Sequence, residues 1–287
     1  MKEKICNKRL ELTVSDFGAE MVSLKLDGFE YLWSGDEKYY GRTSPCLFPI
    51  TGRFMDGYYT HNNVKYPMQL NGIALEKTFK IERLNDSQIR CTLTEDDETL
   101  KVYPYKFQLE ITYTIIDTKL DINYKVTNNS DEALAYSVGN HTAYKWPLID
   151  GQDANSYFFR FEQRETLKSF NPFGWTADFL INENIRPIYH GFYENFTRSI
   201  KDPKSEWLEY TGANCDYVVR TYRKNFPFIA NWARPENDAN FVCIEPCISI
   251  DSHGPDIFDR NGIKTLEGHK SEEVNYQLLL YKKSELE

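Results

Sequence analysis

The chain is poor in the features that anchor, crosslink or recruit. None of its apolar runs approaches the ~18 residues needed to span a bilayer, which excludes a helical membrane protein. The opening Met1-Lys2-Glu3-Lys4 has no apolar stretch of the signal-peptide kind, so a cytoplasmic location is expected. Six cysteines make no Cys-x-x-Cys and read as buried, reduced thiols. Three Asn-x-Ser/Thr sites, at Asn128, Asn140 and Asn195, carry meaning only in a secreted chain. Basic charge is short as well. With 34 basic against 43 acidic residues the net charge is -9, and no basic stripe is present, so neither nucleic acid nor an anionic membrane is an expected partner. Phosphate-cradling, dinucleotide-binding, zinc-protease and serine-hydrolase motifs are all absent, and no cofactor is expected. Helical periodicity is scarce, leaving at most short helices near 176–183 and 203–209. No internal repeat, low-complexity tract or composition shift divides the chain. The length allows two domains at ~150 residues each, but large β-sandwiches exceed 200, and the whole of 1–287 is expected to form one domain.

Period-two alternation is abundant. It runs through Leu10, Leu12 and Val14; through Phe107, Leu109, Ile111, Tyr113 and Ile115; through Leu120, Ile122, Tyr124 and Val126; and through Val274, Tyr276, Leu278 and Leu280. Turn residues separate the runs: Asp27-Gly28, Asn62-Asn63 and Asn128-Asn129-Ser130. Many short strands without crossover helices predict an all-β chain, meandering in sequence order into two packed antiparallel sheets. The stretch 163–210, rich in Pro and Gly with weak alternation, reads as long connections. The acidic run Glu95-Asp96-Asp97-Glu98 reads as a charged hairpin tip.

Three polar residues stand at the ends of apolar strands, where sandwiches build sites on a rigid frame. His141 follows the run Leu134, Tyr136, Val138 and the pair Gly139-Asn140, and an imidazole there suits a general acid as well as a satisfied strand-end histidine. Gly139 would let a ligand approach the backbone. Glu245 closes Phe241-Val-Cys-Ile-Glu, where partial burial would raise its pKa toward that of a general base; the following Pro246 equally suits a turn. Arg53, after Leu47-Phe-Pro-Ile-Thr-Gly, offers five donors to sugar hydroxyls or anions, or serves as a surface ion-pair partner. Asp216 is a weaker substrate-contact candidate. Asp251, His253 and His269 show no recognised metal spacing and read as loop residues.

Taken in order, PCLFPITGRF, LNGIALEKTF, VGNHTAYKWPL, FPFIANWARP, FVCIEP and LEGHKSEEVNYQLLL resemble the aldose 1-epimerase (galactose mutarotase) family, most closely its LacX-like branch. The resemblance implies a large antiparallel β-sandwich of the galactose-mutarotase (supersandwich) type. It also implies a free hexose as small-molecule partner, with α and β anomers interconverted by acid/base ring opening, and no metal. By motif position it assigns Glu245 as general base, His141 as general acid, and Arg53, Asn71 and Trp232 as sugar contacts. The pattern departs at Asn71-Gly72-Ile73-Ala74-Leu75, where the family carries His-Gly-Phe-Ala-Arg, and at Cys247 and Ser249, where it carries tryptophan and glycine. A neutral Asn and an alkyl Leu leave that rim without charge, which disfavours phosphate. The departures keep open a second reading, a non-catalytic carbohydrate-binding sandwich with a degenerate cleft. A paired-carboxylate glycosidase lacks a second carboxylate beside Glu245 in the sequence. Monomer and homodimer both fit.

Overall fold

Residues that alternate in the sequence alternate in burial. In the computed structural model, which describes all residues except 172, 195–196, 237, 252–253 and 287, the strand Phe107–Ile116 buries Phe107, Leu109, Ile111, Tyr113 and Ile115. Its antiparallel neighbour Lys119–Asn128 sets Ile122 opposite Tyr113 and Tyr124 opposite Ile111, so both apolar rows lie on one face. Each such side chain contributes roughly 1.5–3 kcal/mol on leaving water. The predicted turns appear where expected: Asp27 and Gly28 both have positive φ between Met21–Leu26 and Phe29–Glu30, and Asn62 and Asn63 do so between Tyr58–His61 and Val64–Pro67.

Among the described residues the strands form an antiparallel β-sandwich built around one 15-stranded sheet. The meander Lys80–Asn85, Gln88–Thr94, Phe107–Ile116, Lys119–Asn128 runs in chain order, after which order is lost. Ser271–Lys282 returns from the end of the chain to pair with Lys119–Asn128, and Tyr217–Tyr222, Trp207–Gly212, Tyr157–Phe170 and Arg198–Lys201 follow it. Phe228–Trp232, Phe241–Cys247, Gly139–Asn140 and Cys46–Leu47 continue it, and Thr142–Lys145 and Thr176–Pro187 complete the sheet off this path by pairing with Phe241–Cys247 and Tyr157–Phe170. A smaller sheet of Lys2–Cys6, Leu10–Ser15, Met21–Leu26 and Phe29–Glu30 adds its buried Ile5, Leu10, Leu12, Val14, Leu24 and Leu26 to the same core. No described helix is long and apolar enough to cross a membrane.

Several expectations fail, the meander in sequence order among them. The stretch 163–210 is mostly sheet: Tyr157–Phe170 pairs with Thr176–Pro187 as a long hairpin, and Trp207–Gly212 is a central strand, so the short helices expected near 176–183 and 203–209 are absent. The hairpin's alternation is broken by β-bulges between Arg160 and Lys168, which hides the period from a sequence scan. The acidic run instead starts a helix, Asp97–Val102, because Asp96 and Thr99 form a reciprocal capping box. All six cysteines are free, five of them buried, but Cys6 is exposed. Asn128 and Asn140 are fully buried, whereas Asn195, like His253 and Pro172, lies outside the described residues.

Candidate active site

The strand Phe241–Cys247 is buried along all seven residues and runs on through Pro246, so Glu245 lies inside it and not at a turn. It is hydrogen-bonded on one side to Phe228–Trp232, with Ala230 opposite Glu245 and Trp232 opposite Cys243. On the other side Thr142–Lys145 sets Ala143 opposite Cys243. His141 precedes that strand and so stands beside Glu245: its Nε2 is 3.4 Å from Glu245 Oε1. A buried cluster fixes this strand end. Asn140 Oδ1 accepts from Ser44 Oγ and, at 2.6 Å, from Thr142 Oγ1, while the His141 amide donates to Pro45 O. Gly139 is needed here for the protein's own packing: a Cβ would meet Thr51 Cγ2 at 2.9 Å and Pro246 O at 3.0 Å, so β-structure and not a ligand approaches its backbone.

The two groups open onto a cavity of about 310 Å³ whose wall includes Tyr40, Arg42, Arg53, Asn71, Trp232, Cys247 and Asp251. All of Glu245, His141, Arg53, Asn71 and Trp232 are therefore brought to one place. A larger cleft of about 860 Å³ lies across Arg53 and Leu70, floored by Met68, Ile73 and Val102, and contains neither His141 nor Glu245. Asp216 is in neither cavity; it accepts from Ser284 N and Oγ at 2.9 and 2.8 Å and ties down the end of the chain.

Burial sets the electrostatics. Loss of hydration, reinforced by the nearby Asp251 charge, pushes Glu245 up to about 8. Loss of hydration, with Arg42 adding a little, pushes His141 down to about 4. Between those limits the pair holds one proton. The attraction between a carboxylate and an imidazolium 3.4 Å apart opposes both shifts and favours the charged pair. Tyr40 shares a 3.1 Å hydrogen bond with His141 Nδ1, orienting the ring with Nε2 toward Glu245.

The rim differs from the sequence expectation in one respect. Leu75 brings no charge, but its carbonyl accepts from Arg42 Nη2 at 2.9 Å, so a guanidinium does reach that edge. Its charge is balanced by buried Glu20, whose carboxylate takes Arg42 Nε at 2.8 Å and also holds Thr43 and Ser44. Asn71, at φ 66°, spends its side-chain oxygen on the Gly52 amide at 2.7 Å and its own amide on Gly52 O, locking the turn that carries Arg53. The Arg53 guanidinium makes no salt bridge among the described residues.

Sequence reasoning missed Tyr40, Arg42, Glu20 and Arg260, and its reading of Asp251 as a loop residue overlooked the place of that side chain in the cavity wall. Asp251 is a second carboxylate in the cavity, raised by burial and accepting from the Arg53 amide at 2.8 Å. Arg260 is buried at 3% exposure and donates to Thr51 O, Ile250 O and Arg53 O at 2.6, 2.9 and 3.0 Å, clamping the two loops that bear Arg53 and Asp251. None lies on an alternating run, so no periodicity marked them; the buried acid Glu20 next to Met21–Leu26 was the one faint signal.

The architecture and the sequence are each matched elsewhere. A galactose mutarotase related enzyme from Lactobacillus acidophilus superposes with a TM-score of 0.90 at 24% identity, over 98% of this chain and 97% of its own. A galactose mutarotase-like protein from Lactobacillus casei ATCC 334 gives 0.90 at 24%, over 98% and 100%. The fold is thus a galactose-mutarotase-like β-sandwich. Protein LacX of Lactococcus lactis subsp. lactis is 24% identical over 261 residues, 86% of this chain and 87% of that protein. Residues 2–250 match the family Aldose 1-epimerase, a span that takes in Arg53, Asn71, His141, Trp232 and Glu245, and the chain belongs to that family.

Proposed function

We propose that the protein interconverts the α and β anomers of a free hexose, as a member of the LacX-like branch, with Glu245 and His141 as the acid/base pair. The observation that carries the reading is the 3.4 Å approach of His141 Nε2 to Glu245 Oε1 at the edge of a cavity walled by Trp232 and Tyr40. The chemistry needs one proton donor and one acceptor. Glu245, ionised, takes the proton of the C1 hydroxyl; the C1–O5 bond breaks as His141, protonated, delivers its proton to O5; and the open-chain aldehyde is released to rotate about C1–C2. Reclosure with the roles exchanged gives the other anomer and restores the shared proton. Trp232 and Tyr40 offer flat apolar walls to the sugar ring, while Arg53 and the Asn71 amide nitrogen supply donors to its hydroxyls.

The test is anomer exchange, followed by polarimetry or exchange NMR on a panel of free hexoses. Glu245→Gln keeps the shape of the side chain but cannot accept the C1 proton, and the rate is expected to fall by roughly 10²–10⁴-fold. A variant retaining more than about a tenth of the rate rejects Glu245 as the base. Sugar binding without exchange in the wild type would leave the binding-sandwich reading in its place.

A further inference from the structure

Cys243 takes no part in the proposed proton transfer and is not in the cavity wall, yet its thiol lies close to the pair. Residues two apart on a strand share a face. One donor atom each from His141, Cys243 and Glu245 lie within 4.8 Å of one another, and the thiol is free. A second observation points the same way: Glu245, only 6% exposed, leaves Oε1 without a hydrogen-bond partner among the described residues. With Nδ1 engaged by Tyr40, the histidine presents Nε2 to this carboxylate oxygen at 3.4 Å. Two donors each about 2.1 Å from a tetrahedral ion stand about 3.4 Å apart, so the existing separation fits one ion between them.

We propose that His141, Cys243 and Glu245 form a binding site for a thiophilic divalent cation of the Zn²⁺ class, and that its occupancy blocks the acid/base pair. The binding half stands on the geometry; the blocking half rests on the function proposed above. Sulfur, imidazole nitrogen and carboxylate oxygen are the donor set of zinc, whereas magnesium and calcium take oxygen ligands. His141 and Glu245 line the cavity, which is the route of entry, while Cys243 is buried outside its wall; three protein ligands leave a fourth coordination position. On ligation the thiol loses its proton to solvent as the metal–sulfur bond forms. The thiolate and the carboxylate then cancel the charge of the cation, so the buried site is neutral. Tyr40 holds the second imidazole nitrogen, the usual outer-shell support of a metal-bound histidine.

The experiment is a Co²⁺ titration of the chelator-treated wild type, Cys243→Ser and Cys243→Ala, read by absorption, with anomer exchange measured beside it under Zn²⁺ and Mg²⁺. The expected result is a near-ultraviolet thiolate-to-cobalt band in the wild type that both variants lose. Zn²⁺ affinity should fall by more than the roughly 10–100-fold that loss of an outer-shell partner causes. Zn²⁺, but not Mg²⁺, should stop exchange reversibly, and Cys243→Ser should exchange normally without metal while resisting Zn²⁺. A wild type without the band, or variants that bind Zn²⁺ as tightly as it does, overturns the site. The cobalt titration needs no turnover, so a band accompanied by undiminished exchange under saturating Zn²⁺ supports the site and counts against the acid/base assignment alone.

Discussion

At the scale of single residues, the site depends on two side chains whose ionisation burial pushes in opposite directions. Glu245 is raised to about 8 and His141 is lowered to about 4 by the same loss of hydration, because one is charged when it loses a proton and the other when it gains one. The pH dependence follows with its sign. Below about 4 the pair takes up a second proton and no base remains; above about 8 it loses its only proton and no acid remains. Anomer exchange measured in chelator is therefore expected to be bell-shaped with limbs at those values, and His141→Asn should remove the bell together with roughly 10²-fold or more of the rate. A rate that stays level from pH 3 to 10 would exclude this pair. The residues themselves were visible in the sequence as polar groups on apolar strands, but their separation was not, since the 103 intervening positions carry no information on where two strands meet.

At the scale of elements, the cavity wall is made by loops held from beneath. Arg260 donates to three carbonyls of the 51–53 and 250 segments and lays its guanidinium on the Phe54 ring, 4.5 Å from the centroid. Burial lowers its pKa to about 10, so it stays charged at neutral pH. Arg260→Met strands buried carbonyls and is expected to cost about 3 kcal/mol of stability, seen as a lower urea midpoint. If the clamp positions Arg53 and Asp251, the variant raises KM while kcat, which the proposed mechanism assigns to Glu245 and His141, neither of them a partner of Arg260, changes little; Arg260→Lys should restore part of the KM. A fall in kcat with KM unchanged would contradict that role. Hairpins closed by Asp-Gly and Asn-Asn were legible because the turn needs left-handed φ and these residues tolerate it. The Tyr157–Phe170 and Thr176–Pro187 hairpin was not, because its register shifts erase the period of two on which reading depends.

At the scale of the whole molecule, strands far apart in the chain share one sheet: Ser271–Lys282 lies between Lys119–Asn128 and Tyr217–Tyr222. We propose that 1–287 is a single domain, and urea unfolding should then give coincident transitions by far-ultraviolet and near-ultraviolet circular dichroism. Two separated transitions would divide it. Alternation, turn residues and the placing of His141 and Glu245 next to or within apolar strands are local properties, and the sequence by itself determined them: which residues face inward follows from a period of two, and where strands reverse follows from which residues accept positive φ. Pairing order is not local. The placement of Ser271–Lys282 beside Lys119–Asn128, the delivery of Tyr40 and Arg42 by an irregular loop pinned on Glu20, and the meeting of Asp251 with Arg53 over Arg260 all depend on contacts between residues far apart in the chain. Those contacts form only when sheets pack, and so does the dry environment that moves Glu245 and His141 away from their ordinary ionisation; tertiary structure alone decided both.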